Sequence, residues 1–213
     1  MREVDADVVA VQELAAPQAA ALAAVLPFGR LDPALDYAGM GIARRTPGAV
    51  ARLPLPPRDA YLTEVALAVP GGGTLGVEVV NVHILAPHLQ PTWWALAGRR
   101  AQLRGLEAHL EASADRPRVL VGDLNATPAW PLYRRLCRRL CDGARAVAAN
   151  GARSRPLRTW GPWPGAPRLL RLDHVLVRGV RVTALRVLPL PGSDHSALVV
   201  DIAAETGAPD RPA

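Results

Sequence analysis

The chain has 213 residues, half of them hydrophobic, and a mean hydropathy of +0.11; it is sized for one domain and is not an intrinsically disordered protein. Its two cysteines exclude a disulfide framework and fit a reducing compartment, so a cytoplasmic location is expected. The net charge of +6 comes from 25 basic residues, all arginine, against 19 acidic ones, which favours anionic partners; the abundance of Arg, Ala, Pro and Gly also tracks a compositional bias.

No stretch approaches the roughly 18 apolar residues of a membrane span, and Met1-Arg2-Glu3-Val4-Asp5 does not open a signal peptide. Residues 7–12 form a short apolar run, read as a strand buried on both faces. A helix is expected from Ala16-Pro17-Gln18 to about Leu26, with proline tolerated in its first turn. Residues 61–69 and 75–83 read as two strands joined by Pro70-Gly71-Gly72-Gly73-Thr74, a glycine-rich hairpin. A long amphipathic helix is expected over 93–111, with Trp93-Trp94 packed as its N-terminal anchor. A buried strand over 118–122, a helix over 129–141 and strands over 172–177, 180–188 and 196–203 complete the chain. One domain over residues 1–205 is expected, followed by a disordered tail at 206–213. Two groups of strands interrupted by helices point to an α+β protein, a two-sheet β-sandwich with helices on its outer faces.

The polar residues cluster at strand ends. One run ends in Gln12-Glu13, the next in Asn81-Val82-His83, and a third in Gly122-Asp123-Leu124-Asn125. Leu172-Asp173-His174 begins a strand, and Gly192-Ser193-Asp194-His195 precedes the last one. Strand alternation puts Asp123 and Asn125 on one face, and likewise Asn81 and His83. Such ends can converge on one cleft. Carboxylates such as Glu13, Asp123 and Asp194 suit a hard cation, and Mg²⁺ needs only one or two of them beside waters and substrate phosphate. A histidine oriented by a carboxylate moves protons near neutral pH. Together these groups match phosphoester hydrolysis, whereas His-Glu-x-x-His, Gly-x-Ser-x-Gly and Walker-type loops are absent.

The ordered set of five blocks resembles the endonuclease/exonuclease/phosphatase superfamily in its deoxyribonuclease-like, exonuclease-III-like and neutral-sphingomyelinase-like forms. The blocks run from Asp7 to Asp201 and look closest to bacterial members. The resemblance implies a four-layer sandwich with the cleft at one end. It implies that Glu13 and Asp194 bind Mg²⁺ or Mn²⁺ and that His83 contacts the scissile phosphate and assists the leaving group. By the same resemblance Asp123 activates the attacking water, Asn125 holds the phosphate, and Asp173 orients His195. Glu64 would be the acidic partner that some members give the first histidine. Asn81 and Trp160 are further substrate-binding candidates, Trp160 as part of the stiff Arg158-Thr159-Trp160-Gly161-Pro162-Trp163-Pro164 loop.

One departure matters. Members of the family begin with a strand carrying a metal-binding asparagine, and Met1 lies only twelve residues before Glu13. The expected function is a monomeric metal-dependent phosphodiesterase acting on nucleic acid, phospholipid or a small phosphodiester. Any membrane attachment is expected through segments outside this chain. The alternative is a phosphate- or nucleic-acid-binding module of the same fold, catalytically impaired because that strand is missing. His109 is expected at the surface and His174 in a structural role. Cys137 and Cys141 share a core stripe with Tyr133, opposite an exposed face of Arg134, Arg135, Arg138 and Arg139.

Overall fold

The computed structural model describes residues 4–149 and 157–205, so the expected tail at 206–213 lies outside the described residues. The centre is a six-stranded sheet of β4 (Val50–Leu53), β5 (Ala60–Ala68), β6 (Thr74–His83), β7 (Arg118–Asp123), β9 (Asp173–Arg178) and β8 (Cys141–Asp142), in that order. The glycine loop makes β5 and β6 antiparallel, as expected. Strands β6 and β7 are parallel, which requires a long crossover. Helix α2 (Thr92–Ala112) provides it.

Two smaller sheets cover one face of the central sheet. The first has the order β1 (Val8–Gln12), β3 (Met40–Arg44), β2 (Phe28–Asp32); the second pairs β10 (Val180–Pro189) with β11 (Ser196–Ala204). Among the described residues, β1 and β2 are the edge strands of the first, and β10 and β11 each keep one unpaired edge in the second. Met40, Ile42 and Tyr61 pack the first small sheet onto the large one, and Val77, Val119, Val175 and Val182 do the same for the β10–β11 pair. The other face carries α2 and α3 (Pro131–Leu136), whose Leu103, Leu106, Leu110 and Leu136 meet Val80, Val82 and Leu120. Helix α1 (Ala16–Ala23) lies outside the first small sheet through Ala19 and Leu22. The expected α+β sandwich is the observed one.

Several elements differ from the sequence expectation. Strands β2, β3 and β4 were not expected; they are short and interrupted by glycine or arginine, so they lack a clean period. The helix expected over 129–141 stops at Leu136, and Cys141–Asp142 joins the central sheet beside Leu176 and Val177. The Asp142 carboxylate explains the break, because it accepts hydrogen bonds from Tyr133 Oη at 2.6 Å and Arg171 at 2.7 Å. A short helix α4 (Gly143–Ala149) follows. His109 is not a free surface residue: its Nε2 lies 3.0 Å from the buried Glu78 carboxylate, which also holds Arg118. On the arginine-rich stretch, Arg135 and Arg139 are tied to Glu107 and Glu111 of α2, while Arg134 and Arg138 are exposed. Trp93 does not pack as an anchor; it is 72% exposed.

Candidate active site

Strand register builds the centre of the site. His83 closes β6 beside Asp123 at the end of β7, and Asp123 faces Asp173 at the start of β9. The three side chains thus form one row across neighbouring strands. Gly122 permits the turn into this row: its φ is +131°, and a Cβ there would strike the Val82 carbonyl. Glu13 and Asp194 enter from the two smaller sheets, at the end of β1 and just before β11. Glu13 and Asn125 both adopt left-handed backbone, with φ of 54° and 46°, a strained conformation that concentrates at functional sites.

Each site residue has a physical anchor. Asn125 gives its backbone N–H to Asp123 Oδ1 at 2.7 Å, and its side-chain amide to Asp123 Oδ2 at 2.8 Å and the Ile84 carbonyl at 2.9 Å. Its donors therefore orient Asp123. Asp173 Oδ2 lies 2.8 Å from His195 Nδ1, and the Asp173 backbone N–H bonds the Thr159 hydroxyl at 3.1 Å. Arg168 donates to the carbonyls of Ser193 and His195 at 2.9 Å each, which fixes the turn that carries Asp194 and His195. Trp160 Nε1 donates to Asp194 Oδ2 at 3.0 Å.

The electrostatics separate the two histidines. Burial, the Arg58 guanidinium and His195 depress the His83 imidazole to about 3, so it is neutral at physiological pH. His83 Nε2 lies 3.7 Å from Glu13 and 3.8 Å from Asp123. For His195 burial opposes the charge, but the hydrogen bond and charge of Asp173, with Asp123 and Asp194, raise it to about 9. Burial first, then the Asp173 and Glu13 charges, raises Asp123 well above the usual carboxylate range. Glu13 is raised by burial and by Asp194 and Asp173, against His195 and Arg58.

Glu13 and Asp123, crowded carboxylates that hold protons for want of positive charge, mark a site that a hard cation satisfies. Among the described residues no three such groups form a complete cation cage. Mg²⁺ does not need one, because one or two carboxylates with waters and substrate phosphate suffice. Glu13 and Asp194 fit that requirement.

Three expectations are corrected. Glu64 is no partner of His83: it pairs in register with Glu78 and its carboxylate bonds Arg116, at the end of the sheet remote from the cleft. The group beside His83 is Arg58, whose Nη1 lies 3.0 Å from Nδ1 and 3.4 Å from Nε2. Asn81 does not face substrate: fully buried, it donates to the carbonyls of Val11 and Gly41 at 2.9 Å each and accepts from Gln12. It ties the first small sheet to the central one. Trp160 spends its indole N–H on Asp194 and so orients a carboxylate. His174 is structural, as expected, bonding the Ala126 carbonyl at 2.8 Å.

Arg58 and Arg168 escaped the sequence reading because they sit in connections without a motif, and Thr159 because the tryptophans beside it drew the attention to their own loop. Gln102 and Arg99 escaped it because they look like ordinary polar positions of a helix. Gln102 bonds the His83 carbonyl at 3.1 Å, and Arg99 bonds the Asn125 carbonyl at 3.1 Å, so α2 braces two ends of the row.

Solved structures share this architecture. One from Bacteroides vulgatus, an endonuclease/exonuclease/phosphatase, aligns at TM-score 0.68 and 20% identity, covering 96% of this chain and 87% of that one. A mannosyl-6-phosphatase of Bacteroides thetaiotaomicron aligns at 0.66 and 16%, covering 95% and 87%. The catalytic domain of Xenopus laevis APE2 aligns at 0.66 and 14%, covering 97% and 87%. At these identities the likeness establishes the fold. No curated protein sequence matches the chain. The model of the Endonuclease/Exonuclease/phosphatase family matches residues 1–195, nearly the whole chain, and the chain belongs to that family.

Proposed function

We propose that this chain is a divalent-metal-dependent phosphoester hydrolase whose preferred substrate is a phosphodiester. The observation that carries the reading is the row of His83, Asp123 and Asp173, completed by His195 on Asp173. A neutral imidazole, a proton-accepting carboxylate and a charged imidazole around one point are what in-line hydrolysis of a phosphoester requires.

Asp123, buried and oriented by Asn125, takes a proton from the attacking water. Its proton affinity is pushed up to about 8 without a cation, and a cation held by Glu13 and Asp194 would lower it toward the operating pH, where a general base works best. His195 carries a positive charge at neutral pH and meets the phosphoryl oxygens as charge develops on them. His83 contributes a neutral N–H or lone pair from the other side, and its low basicity prevents it from acting as an acid. Glu13 and Asp194 hold Mg²⁺ or Mn²⁺, with Trp160 fixing Asp194. The bound cation supplies Lewis-acid stabilisation of the phosphoryl group.

Hydrolysis of bis-p-nitrophenyl phosphate with Mg²⁺, with Mn²⁺ and with EDTA tests this reading. Turnover that needs the cation and disappears in Asp123→Asn is expected. A folded protein without turnover under any of these conditions overturns the reading in favour of a binding module.

A further inference from the structure

The five connections at the cleft end of the sandwich share a feature the chemistry does not use. They are the β2–β3 loop, the entry to α2, the β7–α3 loop, the segment before β9 and the β10–β11 loop. They expose, respectively, Leu35 and Tyr37, Trp93, Trp130, Trp163, and Leu190. Among the described residues every exposed large apolar side chain except Val25 and Phe28 belongs to one of these segments. Val25 sits on the α1–β2 connection and Phe28 opens β2, both at the opposite end. Exposed apolar residues scattered singly need no explanation, but a crown of them confined to the mouth of the site does.

The composition of the crown discriminates between occupants. A nucleic-acid platform pairs aromatic rings with a basic groove, and leucines have no ring to stack on bases. Here leucines are part of the crown, and the arginines nearest the row are already committed, Arg58 to the His83 ring at 3.0 Å. Arg99 is spent on backbone carbonyls of Leu85 and Asn125, and Arg168 on those of Ser193 and His195. Tryptophan and tyrosine mixed with leucine are instead the side chains that settle at a membrane–water interface. Exposed Arg100 in α2, Arg134 in the first turn of α3 and Arg158 flank the crown and suit anionic headgroups.

We infer that the cleft end of this protein is a docking face for an anionic phospholipid surface, so that the substrate is a membrane-resident phosphodiester. This rests on the hydrolase reading and narrows its substrate class. Docking by the crown brings the mouth of the cleft against the headgroup layer. A headgroup phosphodiester entering it meets His195 and Asp123 without leaving the bilayer. Water then adds to phosphorus, one P–O ester bond breaks, and the released alcohol takes the proton.

The test is co-sedimentation with phosphatidylcholine vesicles containing about one quarter phosphatidylserine, comparing the wild type with Trp93→Ser/Trp163→Ser. Both side chains are solvent-exposed and outside the machinery described above, and circular dichroism checks that the fold is retained. The expected result is binding by the wild type that weakens about tenfold or more in the variant, with hydrolysis of soluble bis-p-nitrophenyl phosphate unchanged. Absent sedimentation of the wild type, or equal sedimentation of the two proteins, overturns the inference. So does a loss of single-stranded oligonucleotide binding in the variant with vesicle binding intact. Tryptophan-dependent sedimentation without turnover overturns only the hydrolase reading, and turnover without sedimentation overturns only the docking face.

Discussion

Asp173 Oδ2 and His195 Nδ1 lie 2.8 Å apart, and this contact sets the charge of the site. Burial alone would neutralise His195; the Asp173 hydrogen bond and charge instead raise it to about 9. Asp173→Asn is therefore expected to move the alkaline limb of the pH–rate profile downward by about one to two pH units. Because the folded value lies above the ordinary value of about 6.5, the stabilisation is complete below about 6.5 and is lost as pH rises through about 9. Urea unfolding across that interval should show the loss in the wild type and little of it in Asp173→Asn. An unmoved alkaline limb would assign the limb to another group.

Asp123 has a linkage of the same sign, from a different cause. Its folded proton affinity is raised by burial and by Asp173, so its contribution to stability is greatest below the ordinary value near 3.9 and falls as pH rises. In EDTA at neutral pH, Asp123→Asn should be at least as stable as the wild type while its turnover drops by about 10²–10⁴. Thermal melts and turnover measured on one preparation check both halves. A variant that loses stability together with turnover would make Asp123 a structural residue.

A cation that binds the native state should raise the melting temperature, by an amount that grows with the logarithm of its concentration above the dissociation constant. Mg²⁺ titrations monitored by thermal melts are expected to stabilise the wild type and to have little effect on Glu13→Gln or Asp194→Asn. Trp160→Phe keeps the ring but removes the N–H that holds Asp194, and groups that orient metal ligands typically matter about 10- to 100-fold in affinity. A Trp160→Phe variant with wild-type Mg²⁺ affinity would return Trp160 to a purely packing role.

The parts of this site that were legible in the sequence share one physical cause. A carboxylate or imidazole that abruptly ends an apolar run marks both a strand end and a polar cleft, and Glu13, His83, Asp123 and Asp173 all stand at such boundaries. Strand register then did the rest, because β6, β7 and β9 are neighbours. Asn81 misled because it obeys the same alternation as His83, yet its face meets the neighbouring sheet rather than the cleft. Glu64 misled because position along a strand, which decides which end of the sheet a residue reaches, is set by pairing with Glu78 and not by composition. Arg58 was invisible because its contact with His83 joins a loop to a strand end 25 residues away.

The reassignment of Asn81 and Glu64 makes the last prediction. Asn81 is fully buried, and its amide serves Val11, Gly41 and Gln12 of the first small sheet at once. Asn81→Ala strands those groups without water, at roughly 1–3 kcal/mol for each buried partner left unpaired, so a loss of about 3 kcal/mol is expected. Activity should fall with it, because Glu13 directly follows Gln12 on the strand that Asn81 holds down. Glu64→Gln instead weakens an exposed pair with Arg116 and should change stability by less than about 1 kcal/mol. Its turnover should equal that of the wild type. Urea midpoints and bis-p-nitrophenyl phosphate turnover on the two variants decide the matter. A stable Asn81→Ala with raised KM alone would restore Asn81 to the substrate, and a Glu64→Gln with an altered pH–rate profile would restore Glu64 to His83.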